Sequence, residues 1–129
     1  MTNILRINEP LEIPKIVELI HDRWLDADSI TFDSETSTLS IRYLKEMGSR
    51  PSFVSRARFP AFECFLRISR VVSFSVQDTQ KVRFYDMNAV VYDQESMSVR
   101  IKTGVPIEIW AVVLDFDMTT EESDTVVQG

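Results

Sequence analysis

His21 and Cys64 are each the only residue of their kind in the chain. Together they could supply a thiolate nucleophile and the base that takes its proton. Cys64, however, shares the parity of Phe62 and Leu66 in an alternating run, where cysteine acts as a small, inert hydrophobe. His21-Asp22, followed by Asp26 and Asp28, gathers metal-ligating types. One histidine and one cysteine cannot build a multi-histidine or multi-thiolate zinc site, and the spacing lacks the glycine and closing Glu of an EF-hand loop. The plainer assignment is polar residues ending a helix and opening a turn. No Gly-x-Ser-x-Gly elbow and no P-loop occurs, and Asp86, Asp93 and Glu95 read as turn and surface acids. No catalytic residue, metal ligand or cofactor is therefore assigned.

A second candidate lies near the C-terminus. The run Ala111-Val112-Val113-Leu114-Asp115-Phe116-Asp117-Met118-Thr119 resembles the first motif of haloacid-dehalogenase-type phosphohydrolases. The resemblance implies a Mg²⁺-dependent reaction in which Asp115 attacks phosphorus and Asp117 protonates the leaving group. The run departs from that pattern in two ways. Met118 stands where the family has glycine, and only ten residues follow Thr119, where the family continues into a cap region, a lysine and further acids. A core strand running into an acidic tail accounts for the same residues.

Composition sets the frame for these elements. A chain of 129 residues fits one domain and can bury a core without staples. Net charge is −6, divided as −3 over residues 1–45, +4 over 46–83 and −7 over 84–129. An acidic chain is a poor general binder of polyanions, so nucleic acid is not the expected partner. No apolar run is long enough to span a membrane, and no basic stretch followed by an apolar run opens the chain. A single cysteine excludes an internal disulfide, and all of this fits a cytoplasmic protein. Three glycines leave few residues suited to left-handed turns.

Alternation dominates the middle of the chain. Between Phe62 and Val76 the even positions are apolar except Arg70, which predicts one long, bent strand with its even face in the core. Pro14 to Trp24 carries a helical stripe through Ile16, Val17, Leu19 and Ile20. Residues 29–33 and 38–43 alternate around Ser34-Glu35-Thr36-Ser37, which predicts a hairpin with Ile30, Phe32, Leu39, Ile41 and Tyr43 inward. Residues 45–60 read as a long loop. Lys81 to Tyr92 changes parity, so either both faces of this strand are covered or a bulge shifts its register near Asp86. Met97, Val99 and Ile101 alternate, and Ile107 to Phe116 reads as a strand covered on both faces. No internal repeat is evident.

The expected fold is mainly β (α+β). Six or seven antiparallel strands form a meander, curled into a sandwich or partly open barrel, with one N-terminal helix. Residues 1–118 make a single domain, and 119–129 an acidic, disordered tail.

The order of parts from His21-Asp22 through Asp28-Ser29-Ile30-Thr31-Phe32-Asp33 to Leu39-Ser40-Ile41, with Val82-Arg83-Phe84-Tyr85-Asp86-Met87 later, resembles small β-rich bacterial immunity proteins of polymorphic toxin systems. That resemblance implies a non-enzymatic protein that binds another protein. From the residues themselves, the expected function is binding, to another protein or to a second copy. The expected surface is Arg56, Arg58, Phe65 and Arg67, because arginine and exposed aromatics are enriched where proteins meet. The alternatives are a small-ligand pocket inside the curled sheet and the Asp115/Asp117 phosphohydrolase.

Overall fold

The computed structural model describes residues 3–46 and 60–128. The expected loop falls mostly outside them. The chain is mainly β, with one short helix. Its strands are β1 (Asn3–Ile7), β2 (Trp24–Asp33), β3 (Thr38–Glu46), β4 (Pro60–Ile68), β5 (Val71–Gln77), β6 (Phe84–Asp93), β7 (Ser98–Thr103), β8 (Glu108–Val113) and β9 (Met118–Gln128). The helix α1 spans Ile13–Ile20. All pairings are antiparallel, in the order β1-β9-β4-β3-β2-β6-β7-β8-β5, and the sheet is not closed into a barrel.

The predicted hairpin forms in its predicted register, with Ile30 opposite Ile41, Phe32 opposite Leu39 and Asp33 opposite Thr38. Asp33 shapes the turn by accepting the Glu35 N–H through its side chain (2.9 Å). Leu39, Ile41 and Tyr43 are buried, whereas Phe32 reaches only the rim of the core. Helix α1 buries Ile16 and Ile20 and packs on β6.

Four expectations are corrected. First, the described residues form nine strands rather than six or seven. Phe62–Val76 is not one strand but two, because the chain turns at Ser69-Arg70, with Arg70 at φ 56°. Cys64, Leu66 and Ile68 keep the core parity, but beyond the break Val71 is buried while Val72 and Phe74 are exposed. Second, residues 118–128 are not a tail. They form β9, which lies between β1 and β4 and places Met118 and Thr120 in the interior. Third, β8 ends at Val113 rather than Phe116; within it Ile109, Ala111 and Val113 are buried, and Trp110 and Val112 on the other face are half-buried. Fourth, left-handed turns do occur. Asp22, Ser37, Arg70, Lys81, Arg83 and Met97 adopt φ > 0 without glycine. An L side chain carries a penalty of about 1–2 kcal/mol in that region.

The sheet order also reveals an internal repeat that the alternation hid. It reads as the same four-strand series from either side of a midline, β2-β3-β4-β9 one way and β6-β7-β8-β5 the other. For the first two strands of each series, β2–β3 and β6–β7, sequence supports the equivalence at an offset of sixty residues: Arg23 with Arg83, Asp26 with Asp86, Asp33 with Asp93, Glu35 with Glu95 and Ile41 with Ile101 are identical; for the other two strands the equivalence rests on sheet order alone. Trp24/Phe84, Ile30/Val90, Phe32/Tyr92 and Leu39/Val99 are similar in kind. The second turn copies the first, since Asp93 accepts the Glu95 N–H at 2.9 Å.

The midline is itself twofold-like. Leu25 faces Tyr85, while Trp24 faces Asp86 and Asp26 faces Phe84. The Met87 N–H donates to the Arg23 carbonyl (3.0 Å) and the Ala27 N–H to the Arg83 carbonyl (2.8 Å), equivalent bonds in opposite directions. The fourth strand of each unit is exchanged, so β5 joins β8 and β9 joins β4. The two exchanging connections bond to each other, Ser69 N–H to the Asp117 carbonyl and Leu114 N–H to the Arg70 carbonyl, each at 2.9 Å. One core draws buried residues from both halves, including Leu39, Leu66 and Ile68 from one and Val90, Ile101 and Ile109 from the other.

Because β9 fills an interior position in the sheet, a chain ending at Met118 should fail to fold. Losing the strand strips β4 of one of its two partners and β1 of the only one it has among the described residues, and should exceed the ~5–15 kcal/mol that holds a domain together. Circular dichroism and urea titration of the truncated chain should show no cooperative transition.

Candidate functional site

The most heavily bonded polar group is Asp26, fully buried (0% exposed) beside the irregularity where β2 leaves register with β3. Arg83 donates to both of its oxygens (3.1 and 3.3 Å), Arg42 to Oδ2 (2.9 Å), Ser29 Oγ to Oδ2 (2.9 Å) and the Asp28 N–H to Oδ1 (3.1 Å). Arg42 continues to Glu63 on β4 at 2.8 Å. Burial alone would raise the Asp26 carboxyl pKa, but the hydrogen bonds from Arg83 and Ser29 and the Arg83 charge outweigh it and lower the value. This carboxylate is saturated by its neighbours and holds the strands together. It does not offer ligands to a metal.

The other chemical candidates are similarly occupied. Asp117 takes a bidentate pair from Arg6 (3.0 and 2.8 Å), and Asp115 meets Arg70 at 3.4 Å. These four residues line an open cleft of about 210 Å³ with Asn8 and Phe116. Drug-sized ligands usually occupy about 300–1,000 Å³. Cys64 is buried in β4, its thiol against the Phe62 carbonyl (3.7 Å), and burial followed by the Glu122 charge pushes its pKa up to about 11. His21 is exposed and touches Asp22 (3.2 Å), so the histidine and the thiol have separate partners. Among the described residues no three His, Cys, Asp or Glu side chains gather as a metal site.

Of the expected interaction surface, Arg56 and Arg58 lie outside the described residues. Phe65 and Arg67 lie on the same face of β4, with the Arg67 guanidinium 4.9 Å from the Phe65 ring centre and 3.6 Å from Glu121 on β9. Arg42, Phe65 and Glu121 follow one another across β3, β4 and β9. The two predicted residues are thus together, and both are engaged within their own sheet.

The feature missed by sequence reading is β5. It is one of the sheet's two edges, and Val71–Gln77 contains no charge, glycine or proline. Val72 is 60% exposed and Phe74 42%, and Phe74 stacks on Phe32, itself 37% exposed, at 4.8 Å. Edge strands usually carry charges, prolines or bulges that block further pairing; β5 has a register shift at its start, between Val71 and Ser73, and none of these beyond it. The opposite edge, β1, carries Arg6. By the internal repeat β5 is the equivalent of β9, whose outer side β1 covers, and among the described residues no strand covers the outer side of β5. The signal in sequence was the lone Arg70 on the core parity, which marks the break where β5 leaves the core.

Asp26 also sets the acid response. Its folded-state pKa is depressed, so its stabilisation is present above the unfolded carboxyl value, about pH 4, and is lost as pH falls through the folded value. Asp26→Asn should lose stability at neutral pH, at the lower end of the ~3–5 kcal/mol seen for broken buried pairs, because half-exposed Arg83 can rehydrate. Urea midpoints taken from pH 7 to pH 2 should converge for the two proteins as the wild type loses its charge.

No protein-family model, curated protein or solved structure matches the chain.

Proposed function

We propose that this chain is a non-catalytic binding module that recognises protein by accepting an added strand at the edge of β5. The supporting observation is the uncovered edge itself. It is uncharged, apolar and extended, and it occupies the position at which the equivalent strand β9 receives β1. Main-chain bonds along such an edge supply affinity, while pockets for alternate side chains supply selectivity. Phe32 and Phe74 form the apolar anchor beside it. An immunity-like role, in which the bound protein is a toxin, is one form of this reading.

Native mass spectrometry of tagged protein from its own host should show a stoichiometric added protein mass, either another chain or a second copy. Val72→Lys and Phe74→Lys should reduce that complex at least tenfold, and Phe65→Ala with Arg67→Ala should leave it intact. A bare monomer in the wild type, or a complex indifferent to the edge variants, would defeat the reading.

A further inference from the structure

The edge of β5 has a sequence property that points to its occupant. Residues 72–76 read Val-Ser-Phe-Ser-Val, the same in both directions. An antiparallel pair places residue order against its reverse, so a strand with this sequence complements itself. With a twofold axis at Phe74, Val72 falls opposite Val76 of the second copy, Ser73 opposite its Ser75, and Phe74 opposite its Phe74. A slip of one residue would set serine against valine and phenylalanine, so the register is specified.

Among the described residues no strand pairs with the outer side of this segment. The Val71 N–H is taken by the Ser37 carbonyl at 2.8 Å, and β5 shifts register against β8 between Val71 and Ser73, so the regular free edge begins at Ser73. Phe74 and Val76 pair with Ala111 and Ile109, both fully buried, which places these residues on the core face of the sheet; Ser73 and Ser75 pair with the half-buried Val112 and Trp110. Joining two copies edge to edge keeps the two core faces on one side. Phe32 and Phe74 of each copy would then meet in one aromatic cluster. The absence of charge between Val71 and Gln77 matters because the chain as a whole carries −6. Like charges facing each other across a strand pair are destabilising, and here none do.

We infer that the chain forms a twofold dimer through antiparallel β5–β5 pairing centred on Phe74. This rests on the proposed strand-accepting edge and names its occupant. In the dimer each copy supplies the other with the strand that β1 supplies to β9.

The test is the purified chain. Sedimentation across a hundredfold concentration range should show a species at twice 14.9 kDa. Phe74→Lys should shift it at least tenfold towards monomer while circular dichroism stays unchanged. Cysteine pairing then reads the register, with buried Cys64 as an internal negative. Phe74→Cys should oxidise to a covalent dimer, Ser73→Cys alone should not, and Ser73→Cys mixed with Ser75→Cys should. These variants decide the matter if Phe74→Lys does not fold. A monomer at every concentration, polydisperse aggregate in place of a dimer, or cross-linking indifferent to position overturns the inference. A monomer that carries a different protein in its host complex, lost on Phe74→Lys, removes self-pairing alone. A monomer with no partner removes both readings.

Discussion

Asp26 is a carboxylate without solvent, and the architecture is built around keeping it charged. Its cage draws Arg83 from the start of the second unit and Arg42 from β3 of the first, and Arg42 reaches on to Glu63 of β4. The two units meet in a short ladder, Trp24–Asp26 against Phe84–Asp86, flanked by the Met87–Arg23 and Ala27–Arg83 main-chain bonds. So short a ladder is a weak hinge by itself. A buried ion pair adds little net energy over an apolar core but penalises any arrangement in which one partner is missing. Here that penalty falls on every alternative packing that separates Arg83 from β2, which ties the midline to one geometry.

That midline would still not hold two independent halves. Each unit gives away its fourth strand, so β4 is completed by β9 and β8 by β5. Neither unit can bury its own core strand without the other. The exchange connections are cross-bonded at Ser69–Asp117 and Arg70–Leu114, and Arg6 and Arg70 neutralise the acids that the crossing brings together. The pair of acids that resembles a phosphohydrolase motif is explained on structural grounds by this crossing. Asp117 anchors β1 to the start of β9 through Arg6, and Asp115 fastens the end of β8 to the turn after β4.

Much of the local structure was legible in the sequence. The first hairpin was, because strict alternation and a four-residue polar turn leave little freedom in register. The bulge anticipated near Asp86 falls between Met87 and Ala89, where the parity change had placed it within a residue or two. What failed was connectivity. Alternation continues through Val72, Phe74 and Val76 after the chain has turned at Arg70, so period alone cannot separate a bent strand from two strands in different places. β9 was missed because Glu121, Glu122 and Asp124 look like a solvated tail. In the fold, Lys45 binds Glu122 at 2.8 Å, Arg67 approaches Glu121, and Thr120 bonds buried Tyr43 at 3.2 Å. The repeat was hard to see because it rests on a few charged and aliphatic positions and on turn chemistry, with little identity in the strands between.

The repeat also accounts for the asymmetry at the two ends of the sheet. A framework with two equivalent terminal strands has two equivalent edges, and β1 is a single added strand that can cover only one. It covers the edge of β9, where its Arg6 binds Asp117. The edge it cannot reach belongs to β5, whose residues lack the charges that ordinarily keep an open edge from pairing. An interior strand with apolar side chains gains from burial on its core face. An edge strand with Val72 60% and Phe74 42% exposed gains only part of that burial in the isolated chain, since the rest of their area faces water. In the isolated chain they contribute little to the fold beyond the Phe74–Phe32 contact, and what they can stabilise is pairing with a further strand.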